Sequence, residues 1–173
     1  METIYKKEIF ELAKNQEDKI FYNSSEKHAA IVHQAIASSA KKYICIYSSC
    51  LCTEISNNDE YCRYIDEFLS KDKERTIRII LTDYSCDFAQ KPIAKVLKKY
   101  PDQVSIKKFE GSVVYNNQQI HFTIADDRMF RLETDIKQHL AYGNFNAPDN
   151  VMTLKTLFDK INQSPITQSC SFC

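Results

Sequence analysis

Apolar and polar residues follow one pattern in the first part of this chain and another after about residue 107. Before that point, short apolar runs alternate with longer segments whose apolar residues recur at helical spacing. This pattern predicts strands that alternate with helices. The predicted helices cover residues 3–17, 26–41, 59–69 and 88–99, and the predicted strands cover 19–22, 43–47, 76–81 and 104–106.

After residue 107 the pattern predicts successive strands and then one last helix at 149–162. Strand–helix alternation followed by antiparallel strands indicates an α/β protein, with a mixed β-sheet covered by helices on both faces. No segment has the composition of a linker. We therefore predict an N-terminal helix in residues 1–18, one domain over 19–162 and a Cys-containing tail over 163–173. The later strands are predicted at 112–116, 118–125, 128–133 and 140–144.

The composition is that of an ordinary globular chain. Of 173 residues, 43% are hydrophobic and 27% charged, and 23 basic residues balance 23 acidic ones. A globally basic nucleic-acid binder is not indicated, although a local basic patch would be compatible with these totals. There is no apolar stretch of ~18 residues and no signal peptide, so we expect no membrane span and a cytoplasmic location. The Lys-, Ile-, Asn- and Tyr-rich composition favours a bacterial, AT-rich genome.

Seven cysteines are a high count, and an odd number without an export signal argues against a disulfide framework. Cys170 and Cys173 have the spacing of a zinc-binding pair, but Cys50 and Cys52 do not. We therefore predict no metal site and expect the thiols to pack as small apolar groups.

Two later segments carry candidate chemistry. A predicted strand contains His121 and ends in Asp126 and Asp127. Further on, Gly143-Asn144-Phe145-Asn146 contains one of only two glycines in the chain. A glycine this rare indicates a position where a side chain would clash or where φ is positive.

Together these segments resemble the signature of the phospholipase D superfamily, and the resemblance extends over residues 19–162. That signature has a His, a Lys two residues later, an Asp, and then a Gly-Ser-x-Asn turn. It implies a phospholipase D-like sandwich, cofactor-free and metal-free phosphodiester chemistry, and a homodimer, because a chain of this length holds one motif. His121 would be the nucleophile or general acid, and Asp126, or else Asp127, would orient its imidazole. Asn144 and Asn146 would contact the phosphate.

The sequence departs from this signature at Thr123, which stands where the family has its Lys. A replacement charge set could come from other residues near His121. The alternative is that Arg131 and Glu133 are structural and pair with Asp126 or Asp135. His28 and His33 are predicted to be structural or solvent-facing. The substrate-binding candidates are Arg128, Arg131, Glu133 and His139.

Four lysines form a predicted basic helix face that could follow a nucleic-acid backbone, namely Lys91, Lys95, Lys98 and Lys99. The alternative is an ordinary solvated helix face.

Three functions remain open at this point. The first is a degenerate phospholipase D-like module with weak or no catalysis that binds nucleic acid, a phosphate ligand or a protein. The second is an active, metal-independent phosphodiesterase, most plausibly a small nuclease, that works as a homodimer through His121. The third is a pure protein-interaction domain, which predicts that His121 is buried and paired.

Overall fold

An eight-stranded mixed sheet runs through the structure. The structure is a computed structural model, and it describes residues 2–170 apart from the side chain of Cys86. The strands are β1 (Phe21–Ser24), β2 (Tyr43–Ser48), β3 (Thr76–Leu81), β4 (Val104–Phe109), β5 (Val114–Tyr115), β6 (Gln118–Gln119), β7 (His121–Ala125), β8 (Met129–Asp135), β9 (Leu140–Asn144) and β10 (Thr167–Ser169). Their order in the sheet is β1-β9-β8-β7-β2-β3-β4-β10, and β5 and β6 form a separate hairpin.

Helices cover both faces of this sheet. Side-chain caps begin two of them, because Ser25 Oγ accepts the His28 N–H and Asn58 Oδ1 accepts the Tyr61 N–H. None of the described helices is long and apolar enough to cross a membrane. The helices are α1 (Glu2–Asn15), α2 (Glu26–Ser39), α3 (Glu54–Asn57), α4 (Asp59–Ser70), a 3₁₀ helix (Cys86–Gln90), α5 (Pro92–Leu97) and α6 (Pro148–Asn162).

The apolar runs at β2 and β3 supply a core on each face, as expected for central parallel strands. Ile44 and Ile46 of β2 pack towards α1, α2, α4 and α5. Cys45 and Tyr47, which alternate with them, pack towards α6. The predicted α/β class, with a mixed sheet covered on both faces, is confirmed.

Several elements differ from the sequence prediction: α3 was not predicted, and the strand predicted at 118–125 is divided into β6 and β7. The helix predicted at 88–99 is a 3₁₀ turn followed by α5, which begins at Pro92 because proline lacks the N–H that a helix interior requires. Residues 167–169, which fall in the predicted tail, form β10 and pair with β4. The last residues of that tail, 171–173 with Cys173, lie outside the described part of the chain.

The direction of β7 divides the candidate residues between two edges of the sheet. β7 is antiparallel to β2, with Phe122 opposite Tyr47 and Ala125 opposite Ile44. His121 therefore lies at the edge formed by the carboxyl ends of β2, β3 and β4, called here the carboxyl edge. Ala125 and the turn that follows it lie at the opposite edge, called here the amino edge.

Candidate functional site

His121 lies at the carboxyl edge, with its side chain 12% exposed and both ring nitrogens engaged. Its Nδ1 is 2.9 Å from Glu133 Oε2, and its Nε2 accepts the backbone N–H of Ser49 at 3.0 Å. Because Nε2 acts as an acceptor in the neutral ring, the proton is assigned to Nδ1, which donates to Glu133. Strand register explains the pairing, since His121 and Glu133 are direct partners across β7 and β8.

Glu133 also accepts a hydrogen bond from Arg131, and the two residues form a buried ion pair. Arg131 Nη2 donates to Glu133 Oε1 at 2.9 Å, while Arg131 Nε donates to Asn23 Oδ1 at 3.0 Å. Arg131 is 3% exposed and Glu133 is 4% exposed. Asn23 Nδ2 in turn donates to the carbonyl of His139 at 2.7 Å. The polar residues therefore form one continuous hydrogen-bonded network across β7, β8 and β1.

The charges in this network are balanced and fixed. Burial by itself raises the pKa of Glu133, but the hydrogen bond with His121 and the Arg131 charge offset burial and hold that pKa at about 2. On α2, burial and the nearby Arg131 charge lower the pKa of His33, so this ring is neutral. His139 Nδ1 is 3.5 Å from Glu133 Oε1 without an aligned hydrogen bond. The buried Arg131–Glu133 ion pair therefore lies at the centre of the network, with a neutral His33 beside it.

A small cavity of about 90 Å³ adjoins His121, and the loop after β2 forms part of its wall. Ligand sites usually occupy ~300–1,000 Å³, so this cavity is small for a substrate. In that loop Cys50 and Cys52 form a disulfide, which corrects the expectation that these two thiols pack as free apolar groups. Asn57 Nδ2 donates to the carbonyl of Leu51 and ties the same loop to α3.

The predicted partner of the imidazole, Asp126, lies at the amino edge and does not reach His121. Its carboxylate accepts the backbone N–H groups of Lys41 at 2.6 Å and Lys42 at 2.7 Å. Asp127, the alternative partner, accepts the Tyr43 hydroxyl at 2.7 Å. Asp126 lies far from His121 because β7 separates them, and the four residue steps from His121 to Ala125 span roughly 13 Å. Glu133 occupies the place in which Asp126 was predicted.

The predicted phosphate-binding turn also lies away from His121. Asn144 ends β9 at the amino edge, where its Nδ2 donates to Asp18 Oδ1 at 2.8 Å and its Oδ1 accepts the Asn146 N–H at 2.8 Å. Gly143 has no positive φ. A Cβ there would lie 2.2 Å from the carbonyl oxygen of Phe130, so close backbone approach is what requires glycine.

The substrate-binding candidates divide between the two edges. Arg131, Glu133 and His139 gather around His121, whereas Arg128 lies at the amino edge and donates to the carbonyl of Phe145 at 2.8 Å. Arg131 and Glu133 pair with each other, not with Asp126 or Asp135. Thr123, at the position of the family's Lys, is buried opposite Arg131.

Sequence reasoning missed three members of the site. Asn23 lies two residues after Phe21 in β1, so the two side chains share the buried face of the strand. This alternation was the sequence signal for Asn23. Ser49 acts through its backbone N–H, which no side-chain pattern reveals. His33 reaches the site through the packing of α2 on the sheet, so its contribution depends on tertiary structure.

The predicted basic face lies on the helical layer beside α4. Lys95, Lys98 and Lys99 are exposed, and Lys91 is half-buried. Lys99 Nζ pairs with Asp66 at 3.1 Å. Within residues 2–170, no three His, Cys, Asp or Glu side chains are grouped so as to hold a metal ion.

Comparison with known proteins identifies both a family and a fold. The model of the domain of unknown function DUF7931 matches residues 24–169, and no curated protein matches the sequence. NucT from Helicobacter pylori is 15% identical and superimposes with a TM-score of 0.59, over 89% of this chain and 100% of NucT. The phospholipase D family member Nuc from Salmonella typhimurium is 11% identical, with a TM-score of 0.60 over 89% of this chain and 99% of Nuc.

A third structure is an archaeal chromatin protein, TrmBL2, which is 11% identical and has a TM-score of 0.59 over 91% of this chain and 59% of TrmBL2. At such identities the likeness is one of fold. This chain therefore belongs to the DUF7931 family and has the fold of the phospholipase D superfamily.

Proposed function

We propose that this domain uses a phospholipase D-like fold to bind a phosphate-bearing ligand, nucleic acid in the first place, without hydrolysing phosphodiesters. The observation that carries the proposal is the state of His121. A histidine attacks phosphorus through a free ring nitrogen, and Nε2 here already accepts the Ser49 N–H at 3.0 Å.

The charges around His121 support the same conclusion. Phosphoryl transfer needs donors aimed at the oxygens on which negative charge develops, and losing one such donor costs about 10²–10³ in rate. Thr123 carries no charge, and the Arg131 guanidinium already donates to Glu133 and Asn23. Among the described residues around His121, no Lys or Arg is therefore unengaged and able to offer its charge to a phosphate.

Nucleic acid is the first candidate ligand for two reasons. TrmBL2, a chromatin protein described as showing a novel mode of DNA binding, shares the fold over 91% of this chain. The α5 side of the molecule also presents the exposed lysines Lys95 and Lys98, which suit a phosphate backbone.

The test combines a cleavage assay with a binding assay. The protein and a His121→Ala variant are incubated with chelator and single- or double-stranded DNA, RNA or bis(p-nitrophenyl) phosphate. Fluorescence anisotropy then measures nucleic-acid binding over a range of salt concentrations. We expect no cleavage above the variant's level, together with binding that weakens as salt rises. Chelator-resistant cleavage that disappears in His121→Ala would overturn the proposal, and absence of binding would favour a protein-interaction role.

A second candidate is an active homodimeric phosphodiesterase. The His121–Glu133 pair favours it, because an ionised carboxylate that accepts from Nδ1–H sets the tautomer a nucleophilic imidazole requires. This function requires displacement of the Ser49 N–H and a second His121 from another copy. Analytical ultracentrifugation tests it, since an active monomer or an inactive dimer would each contradict the two-copy mechanism.

A further inference from the structure

A second cavity lies at the amino edge, at the opposite end of the strands from His121. It is a groove of about 680 Å³ between α1, the end of α2 and α4. Half-buried Phe10 and Tyr64 line one part of it, with ring centroids 5.9 Å apart. Its volume lies within the ~300–1,000 Å³ that small-molecule sites usually occupy.

The groove is strongly cationic although the whole chain is neutral. Six basic side chains and two carboxylates line it, and six minus two leaves a net charge of +4. Both carboxylates already have basic neighbours, since Glu67 pairs with Arg63 at 2.6 Å and Glu11 lies 4.0 Å from Lys7. The basic residues are Lys7, Lys14, Lys41, Lys71, Arg75 and Arg128.

Two arginines in this groove differ from the other arginines of the chain. The sequence contains five, and Arg63, Arg78 and Arg131 each have a carboxylate partner. Arg75 and Arg128 are half-buried, and neither has a carboxylate within 4.0 Å in the described residues. The two arginines without a counter-ion are thus the two that line the groove.

Neutral groups alone satisfy these two guanidinium groups, and only in part. Arg75 Nη1 donates to the Phe68 carbonyl at 3.4 Å, while its Nε is buried without a partner in the described residues. Arg128 donates to the carbonyls of Phe145 at 2.8 Å and Ser39 at 3.4 Å. Asp126 acts on Arg128 from beyond ion-pair distance, and burial lowers the pKa of Arg128.

A half-buried cation without a counter-ion is costly, and an anion bound beside it removes part of that cost. Guanidinium groups fit phosphate oxygens especially well, because their N–H donors match two oxygens at once. Aromatic rings such as Phe10 and Tyr64 offer a face for a planar base. The groove therefore combines recognition of a phosphate with recognition of a base.

We propose that this groove binds a nucleoside phosphate, with the phosphate at Arg75 and Arg128 and the base against Phe10 and Tyr64. The ligand is either a free nucleotide or the phosphorylated end of a single-stranded nucleic acid, since both present the same chemistry. This inference rests on the proposed function for the class of ligand and assigns one nucleotide of that ligand to the groove, but it does not depend on the catalytic state of His121.

Isothermal titration calorimetry of the whole protein at low salt tests the site with four probes: AMP, ribose 5-phosphate, inorganic phosphate and 5′-phosphorylated hexathymidylate. AMP should bind more tightly than ribose 5-phosphate or inorganic phosphate, because only AMP carries a base. Arg75→Gln and Arg128→Gln should each weaken AMP binding about tenfold or more, as expected for a lost charge-assisted hydrogen bond. Tighter binding of hexathymidylate than of AMP would identify a nucleic-acid end as the ligand, and the reverse a free nucleotide.

Two further variants separate loss of the site from loss of the fold. Lys14→Ala removes an exposed rim charge and should weaken AMP binding severalfold with an unchanged melting temperature. Lys160→Ala, an exposed lysine of α6 on the other face of the sheet, should leave AMP binding unchanged. Absence of saturable AMP and hexathymidylate binding, or binding that Arg75→Gln and Arg128→Gln do not affect, overturns the inference. Cleavage through His121 would refute only the proposed function, so the two failures are distinguishable.

Discussion

Replacement of Glu133 by glutamine is the substitution that most directly tests the buried network. Glu133→Gln keeps the size of the side chain and removes its charge. Arg131, which is 3% exposed, then keeps a buried positive charge without a carboxylate. The hydrogen bond from His121 Nδ1 also loses its ionised acceptor.

The expected loss of stability follows both from the lowered pKa of Glu133 and from the usual cost of breaking a buried ion pair. The pKa of Glu133 falls from an ordinary 4.5 to about 2. At ~1.4 kcal/mol per pKa unit, ionised Glu133 therefore stabilises the folded state relative to the unfolded chain by ~3 kcal/mol. Removing one partner of a buried ion pair typically costs ~3–5 kcal/mol. In a chain of this length, ~3 kcal/mol corresponds to a melting temperature lower by ~6–12 °C.

The pH dependence has a definite sign. Because folding lowers the pKa of Glu133, its stabilising contribution is fully present above about pH 4.5 and disappears as the pH falls towards 2. The difference in unfolding free energy between the parent and Glu133→Gln should therefore be largest at neutral pH and shrink over this acidic range. Urea unfolding followed by circular dichroism at several pH values measures it.

Two controls make this experiment decisive. A variant with both Glu133→Gln and Arg131→Met removes the two charges together and should recover a large part of the lost stability. Glu110→Gln breaks the surface pair with Lys108 and should change stability by less than ~1 kcal/mol. A loss below ~1 kcal/mol for Glu133→Gln at pH 7, or a double variant no more stable than the single one, would refute the reasoning.

Two other predictions concern the amino edge. Asp126→Ala should lower the unfolding free energy by ~1–3 kcal/mol, because three backbone N–H groups lose their acceptor, and should leave the NMR chemical shifts of the His121 ring unchanged. Urea unfolding and NMR spectra of the histidine rings check this, and displaced His121 ring resonances would return Asp126 to the site. Gly143→Ala should lower the melting temperature by several degrees, because the new Cβ would lie 2.2 Å from the Phe130 carbonyl oxygen. An unchanged melting temperature in differential scanning calorimetry would contradict that contact.

Local patterns of apolar and polar residues were enough to predict most of the elements and much of their burial. The apolar runs at 43–47 and 76–81 predicted central strands, and those strands lie in the middle of the sheet. Strand parity placed Arg131 and Glu133 on one face, and the resemblance drew attention to His121. These features follow from local periodicity. Side chains in a strand alternate between its two faces, and this pattern can be recognised without knowing which strands lie beside it.

Which residues meet depends on how the strands pair and how the helices pack on them. Strand direction and register place Glu133 opposite His121 and leave Asp126 a strand length away, although Asp126 is nearer to His121 in sequence. The Ser49 N–H reaches His121 across 72 residues, and Arg75 and Arg128 come to the same groove from separate segments. Contacts of this kind depend on the pairing and packing of distant segments, which a local pattern does not specify.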